Sequence, residues 1–158
     1  MLKPHHYAVK IEYPNLAQRF ITKADIACSS GVEERKITVN ALWDTGAMRS
    51  AITPVIAQKL NLIPINKVKV NGVNNVSMAD VVKINICLPN LPIVNNVSAA
   101  VCNLVKDIDL LIGMDIIAGG DFSISNGEGK TLFSFAVPPF ADKTDLYKKA
   151  LEVNKSFR

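Results

Sequence analysis

The sequence is poor in the residues that most enzymes use for nucleophilic and metal chemistry. It contains two histidines, both at the amino terminus, and three cysteines among 158 residues. Because no histidine lies near a serine or cysteine in the sequence, we expect no Ser–His or Cys–His nucleophile. The cysteine spacing matches no zinc pattern, and His5-His6 is too small a ligand set, so we expect no metal and no cofactor. Neither a P-loop nor a glycine-rich dinucleotide fingerprint is present.

Charge and hydrophobicity exclude further classes of protein. The net charge is +4, with 18 basic against 14 acidic residues, and aromatic residues make up 6% of the chain. This small excess predicts no nucleic-acid partner. There is no 18-residue apolar run and no signal-peptide core, so we expect neither a membrane partner nor secretion. The odd number of cysteines, Cys28, Cys87 and Cys102, predicts buried free thiols in a reducing, cytoplasmic compartment.

One polar stretch ends an apolar run abruptly. The segment 41–43 reads Ala-Leu-Trp, which predicts a buried strand, and Asp44, Thr45 and Gly46 follow it directly. A glycine at this point indicates a turn or a close approach of another backbone. The pattern therefore places a carboxylate at the tip of a core strand. An aspartate in that position often only caps a turn, so the tripeptide by itself leaves a structural and a catalytic interpretation open.

The remaining pattern is mainly that of β-strands, with short helices. Thr53 and Pro54 predict the start of a helix that ends near Asn61, because Ile52, Ile56 and Leu60 recur on one helical face. The predicted strand segments are 7–13, 19–28, 35–43, 67–70, 76–86, 97–105, 110–112, 121–125 and 131–137, with a helical turn at 114–118. This count favours an all-β domain.

The chain divides into three parts. We expect an amino-terminal extension over 1–18 with a possible edge strand, one domain over 19–140, and a basic amphipathic tail over 141–158. In the tail, the apolar residues recur at helical spacing at Leu146, Ala150, Val153 and Phe157. Such a helix docks on its own domain, frays, or binds a partner, and the sequence leaves these alternatives open.

Two motifs resemble those of a known family. The pattern apolar-apolar-Asp-Thr-Gly-Ala resembles the active-site signature of aspartic proteases, in particular the retropepsin-like group. The segment 110–115, Leu-Leu-Ile-Gly-Met-Asp, is similar to the segment that runs beside the catalytic loop in that family. The turn at 71–75 stands where the family carries its flap, although an ordinary hairpin fits those residues too. The resemblance covers about residues 20–140 and implies a closed or partly open all-β barrel with one or two short helices. The carboxy-terminal helical tail lies outside it and is predicted from the residue pattern alone.

The resemblance also implies an activity. Aspartic endopeptidases use one carboxyl group as a base and a second as an acid, and the two share one proton. This chain has a single Asp-Thr-Gly, so the second Asp44 would come from another copy in a two-fold homodimer. The expected substrate is an extended peptide or protein with apolar side chains flanking the bond. The alternative is a dimerisation or peptide-binding module of the same fold without turnover.

The family pattern assigns roles to single positions. Asp44 would be catalytic, Thr45 would hydrogen-bond across the dimer, and Gly46 would let substrate backbone approach. Gly113 would allow close packing against the catalytic loop. The expected substrate-binding residues are Leu42, Ala47, Met48, Gly72, Val73, Asn74 and Ile112.

Two positions depart from the viral pattern. Retroviral members usually carry Asp after Asp-Thr-Gly-Ala and Arg after the apolar-apolar-Gly. Here both are methionine, Met48 and Met114. Because both charges are absent together, we expect an apolar contact in place of an ion pair.

Overall fold

The computed structural model describes residues 4–29, 35–71 and 76–155. The strands are β1 (Tyr7–Tyr13), β2 (Phe20–Cys28), β3 (Lys36–Trp43), β4 (Ala51–Ile52), β5 (Asn66–Asn71), β6 (Val76–Cys87), β7 (Val94–Val101), β8 (Leu110–Ile112), β9 (Asp121–Gly127) and β10 (Lys130–Val137). The helices are α1 (Pro54–Lys59), α2 (Met114–Ile117) and α3 (Leu146–Lys155).

Most strands belong to one sheet that closes on itself. Within the described residues, seven strands pair in the order β2-β3-β8-β4-β7-β6-β5, and an additional β2–β6 pairing joins the ends of the first six. Closure satisfies the backbone groups that an open edge would expose. β5 extends from β6 outside the closed ring as one arm of a long hairpin. The all-β barrel with short helices predicted from the sequence is confirmed.

The first hairpin of the barrel positions the end of β3. β2 and β3 pair antiparallel from Phe20↔Trp43 to Ala27↔Lys36. Side chains alternate along β3, so that Val39, Ala41 and Trp43 are buried while the intervening residues are less so. β8 then pairs parallel to β3, with Trp43 opposite Ile112. The residue that follows Trp43 therefore emerges where the core strands β3 and β8 end side by side.

A smaller sheet packs against this hairpin through aromatic side chains. Its order is β1-β10-β9, which places the predicted edge strand at residues 7–13 on one edge. The Trp43 ring lies 5.3 Å from that of Phe133 and 4.9 Å from that of Phe135. Phe20 stacks on Phe133 at 5.4 Å, and Phe122 contacts the same ring at 5.2 Å. Five of the chain's ten Phe, Trp and Tyr residues are thus concentrated directly behind the end of β3.

Several local predictions need correction. β7 starts at residue 94 and not at 97, because the Asn85 side chain accepts a hydrogen bond from Asn96 N (2.9 Å) where the β6–β7 register shifts.

Thr53 is the N-cap residue of α1, but its side chain makes no capping bond. It donates to Asp109 Oδ1 at 2.9 Å instead. The three cysteines are half-buried and not buried, since each lies at or just beyond the end of a strand.

The carboxy-terminal helix forms as predicted but does not bury its apolar stripe. Asp145 caps it, accepting from Lys148 N at 2.9 Å. No residue of α3 is buried, and Leu146 is 70% exposed. Leu146, Leu151 and Val153 of the helix are therefore all exposed in the structure.

Candidate active site

The loop between β3 and β4, residues 44–50, carries the Asp-Thr-Gly sequence. Asp44 N donates to Ile112 O at 2.9 Å, which extends the β3–β8 pairing by one residue. Gly46 N donates to Asp44 Oδ1 at 2.8 Å, and Ala47 N donates to Asp44 O at 3.3 Å. This tight turn fixes the carboxylate at the tip of the strand. Among the described residues no protein group donates to Asp44 Oδ2, which leaves that oxygen available to water or a substrate.

The tip of the loop faces the surface. Asp44 is half-buried, whereas Thr45 and Gly46 are exposed. A Cβ placed on Gly46 would lie 3.2 Å from Asp44 Oδ1, which is tighter than an ordinary contact. The glycine therefore keeps the carboxylate uncrowded on a face that a second molecule can reach.

Gly113 lets the segment after β8 pass directly under this loop. A Cβ at Gly113 would lie 2.6 Å from Arg49 C, 2.7 Å from Arg49 O and 2.9 Å from Ala47 O. All three atoms belong to backbone, so they cannot move aside as a flexible side chain can. Met114 N donates to Ala47 O at 2.8 Å across the same contact. The close packing predicted for Gly113 is present.

A serine and a carboxylate close the far end of the loop. Ser50 is fully buried, and its Oγ donates to Asp115 Oδ1 at 2.8 Å. Ser50 N donates to Asp115 Oδ2 at 3.1 Å, and Gly113 N donates to Ser50 Oγ at 3.1 Å. The sequence gives no sign of this pairing, because 65 positions separate the two partners.

Two cavities flank the loop. The cavity that Asp44 lines measures about 270 Å³, and its other lining residues are Gln18, Arg19, Phe20, Leu42, Trp43, Thr45, Phe122 and Ile124. A cavity of about 590 Å³ lies at the other end of the loop, lined by Met48, Arg49, Asp115, Ile116 and residues 94–98. Asp44 does not line this larger cavity.

A family model for aspartyl proteases matches residues 30–116, which is more than half of the chain. The chain belongs to the aspartyl protease family. The match contains the Asp-Thr-Gly loop, the long hairpin and the segment that crosses beneath the loop.

One solved structure shows the same fold as this aspartyl protease. The retropepsin-like aspartic protease from Rickettsia conorii matches with a TM-score of 0.51 and 18% identity, over 86% of this chain and 98% of that one. A Legionella pneumophila protein of unknown function gives a TM-score of 0.39 and 19% identity, over 62% and 83% of the two chains. No curated protein matches the sequence.

The structure brings together some of the substrate-binding residues predicted for this aspartyl protease. Leu42 shares the smaller cavity with Asp44 and Thr45. Ala47 is half-buried within the loop, and Met48 is 83% exposed beside the larger cavity. The predicted flap residues Gly72, Val73 and Asn74 lie outside the described residues.

Ile112 does not fit the role predicted for it. Its side chain is fully buried in the core of the barrel. Leu111 is half-buried and packs with a separate group around Ala51, Ala79 and Ala100. Strand alternation puts the two residues on opposite faces of β8.

The amino-terminal histidines have protein partners in this aspartyl protease. The Pro138 carbonyl accepts a hydrogen bond from His6 Nδ1 at 2.9 Å, and the His6 ring stacks on Phe140 at 4.4 Å. His5 contacts Tyr7 edge to face. No cluster of three or more potential metal ligands occurs in residues 4–29, 35–71 and 76–155. Nor does any helix in those ranges have the length and apolar character needed to cross a membrane.

Proposed function

We propose that this protein is an aspartic endopeptidase whose active site pairs Asp44 of one chain with Asp44 of a second chain. The observation that carries the proposal is the placement of Asp44: it ends a core strand, is fixed by Gly46 N, and has a free oxygen at an accessible surface. A single half-buried carboxylate on a rigid loop is half of the acid–base pair that peptide hydrolysis requires.

The second carboxylate would come from a two-fold related copy. Two carboxyl groups about 3 Å apart share one proton, so one acts as base toward water while the other protonates the carbonyl oxygen. The exposed Thr45 and Met48 are suited to lie between two copies. There the Thr45 hydroxyl would hydrogen-bond across the dimer, and the apolar Met48 side chain would be removed from water. Met48 would then supply apolar contact where viral relatives use charge.

The substrate would be an extended peptide or protein segment. It would lie between the Asp44 loop and the long β5–β6 hairpin, with the segment 72–74 over it. Leu42, Ala47, Met48 and, in place of Ile112, the neighbouring Leu111 would contact its side chains. These residues are apolar, which favours apolar side chains on both sides of the cleaved bond. The odd number of cysteines supports a cytoplasmic, reducing setting.

A pooled peptide library tests the proposal. Wild type and Asp44→Asn are incubated with the library from acid to neutral pH at high protein concentration. Asn has nearly the same shape as Asp but no ionisable group, so we expect cleavage by wild type alone, with unchanged thermal stability of the variant. Cleavage by both proteins would show that another group is responsible. Absence of cleavage by a folded wild type would favour a peptide-binding module without turnover.

A further inference from the structure

We propose that Ser50 and Asp115 are positioning residues for Asp44, and that their hydrogen bonds set the geometry of the catalytic loop. The proposal deepens the proposed function and rests on it for its consequence in catalysis. Neither residue lines the cavity that contains Asp44, so neither is placed to touch the reacting atoms. Their effect would be transmitted through the loop backbone.

The contact is stronger than that of an ordinary pair of polar side chains. The Asp115 carboxylate accepts from both the backbone N and the side-chain Oγ of Ser50, at 3.1 and 2.8 Å. Two bonds to one residue fix the orientation of that residue as well as its distance. Ser50 Oγ also accepts from Gly113 N at 3.1 Å. Because Ser50 is fully buried, removing the hydroxyl would leave the Gly113 N–H without its acceptor and without access to water.

Both ends of the loop are attached to the same short segment. Asp44 N bonds to Ile112 O at 2.9 Å, and Ala47 O accepts from Met114 N at 2.8 Å. Ser50 completes the series through its bonds to Gly113 and Asp115. Residues 44–50 therefore lie across residues 112–115 as one unit. The backbone of Ser50 is also held by Ala100, whose N donates to Ser50 O at 3.0 Å. The side chains of Ser50 and Asp115 are therefore what ties the second half of the loop to residues 113–115.

The required precision makes such a restraint consequential. Two carboxyl groups share a proton only when they are about 3 Å apart. A displacement of about 1 Å in a catalytic group can lower the rate about 10²-fold. The Ser50–Asp115 bonds are thus expected to affect turnover more than substrate binding, because the substrate also contacts residues outside this loop.

A second hydroxyl–carboxylate pair nearby provides a matched control. Thr53 Oγ1 donates to Asp109 Oδ1 at 2.9 Å, and Thr53 N donates to Asp109 O at 3.1 Å. This pair has similar chemistry and joins similarly distant parts of the chain. It attaches the start of α1 to the residue before β8 and makes no bond to residues 44–50. It should matter for stability and not for turnover.

The experiment compares Ser50→Ala and Asp115→Asn with Thr53→Ala and Asp109→Asn in the full-length chain. We measure kcat and KM on a cleaved peptide, together with amide hydrogen exchange at Asp44, Gly46 and Met114. Ser50→Ala should lower kcat about 10–100-fold with KM changed less than about threefold. It should also speed exchange at the three amides at least about tenfold. Asp115→Asn keeps one acceptor oxygen and should give a smaller change in the same direction. The control variants should leave kcat and the three exchange rates unchanged.

The outcomes separate this inference from the proposed function. If wild type cleaves no peptide, the proposed function is wrong, and the exchange rates still decide whether Ser50 and Asp115 hold the loop. Unchanged exchange and unchanged kcat in Ser50→Ala would refute the inference. So would equal losses of kcat in both pairs of variants, because the effect would then be one of general stability. If Ser50→Ala does not fold, Asp115→Asn gives the same comparison.

Discussion

The Asp44 loop and the helix α3 are both largely exposed, yet they are held in opposite ways. The loop at residues 44–50 forms hydrogen bonds to residues 112–115, which lie more than 60 positions away in the sequence. α3 has a regular amphipathic pattern and a capping aspartate, but none of its residues is buried. Exposure alone therefore does not distinguish a rigid segment from an independent one. The difference lies in the number of long-range partners.

Crowding the loop should have the largest effect. Gly113→Ala places a methyl group 2.6 Å from Arg49 C, so the loop must shift. We expect peptide cleavage to fall about 10²-fold or more and the free energy of unfolding to fall by about 1–3 kcal/mol. Cleavage kinetics and chemical denaturation measure the two effects.

Gly120→Ala is the control for that substitution. Its Cβ would lie 2.2 Å from Ala136 O, which is just as crowded, but the site lies against β10 and the Phe135 ring. It should destabilise the protein to a similar degree and lower kcat of the folded protein less than Gly113→Ala does, because the Phe135 ring that it displaces contacts Trp43 and not the loop itself. A similar loss of kcat in both variants would mean that activity follows overall stability and not the loop.

Cys102 should show a smaller effect, which concerns the protonation of its thiol. Partial burial raises the pKa of this thiol above its ordinary value of 9.0. The folded state therefore binds the proton more tightly than the unfolded state, so the thiol stabilises the fold below about pH 9 and this contribution is lost as the pH rises through the folded pKa. Iodoacetamide at pH 8 should modify Cys102 several-fold more slowly in the folded than in the unfolded protein. Equal rates, read by peptide mass spectrometry, would mean that the thiol is not protected.

Removing the tail should have the smallest effect on the fold. Truncation after residue 140 deletes α3, whose side chains are all exposed. We expect the free energy of unfolding to change by less than about 0.5 kcal/mol, as for surface changes in general. A large fall, measured by denaturation at several protein concentrations, would show that the apolar face of α3 is covered in solution. Dependence of that fall on concentration would identify the cover as a second chain.

Much of the fold follows from local sequence pattern. The alternation in β2 and β3 predicts the hairpin that ends at Asp44, and Thr53-Pro54 predicts the start of α1. The glycine-rich turn between β9 and β10 likewise predicts the hairpin that these two strands form. These elements are predictable because their signals are periodic and close together in the chain.

What the sequence does not show depends on distant partners. The bond of Thr53 to Asp109 replaces the expected helix cap, and the Ser50–Asp115 pair has no local signature. The face of β8 that Ile112 occupies is fixed by register against β3, which a three-residue apolar run cannot reveal. The exposure of α3 is likewise not predictable from its own sequence, because its amphipathic pattern is that of a helix that docks.

Mixing wild type with Asp44→Asn tests directly whether two chains form one active site. Subunits are allowed to exchange at a total protein concentration well above that at which the dimer dissociates, and cleavage is measured at fixed total concentration. If each site needs Asp44 from both chains, only homodimers of wild type are active, and an equal mixture retains about one quarter of the wild-type activity. If each chain carries a complete site, the mixture retains about half, which would contradict the shared carboxylate pair.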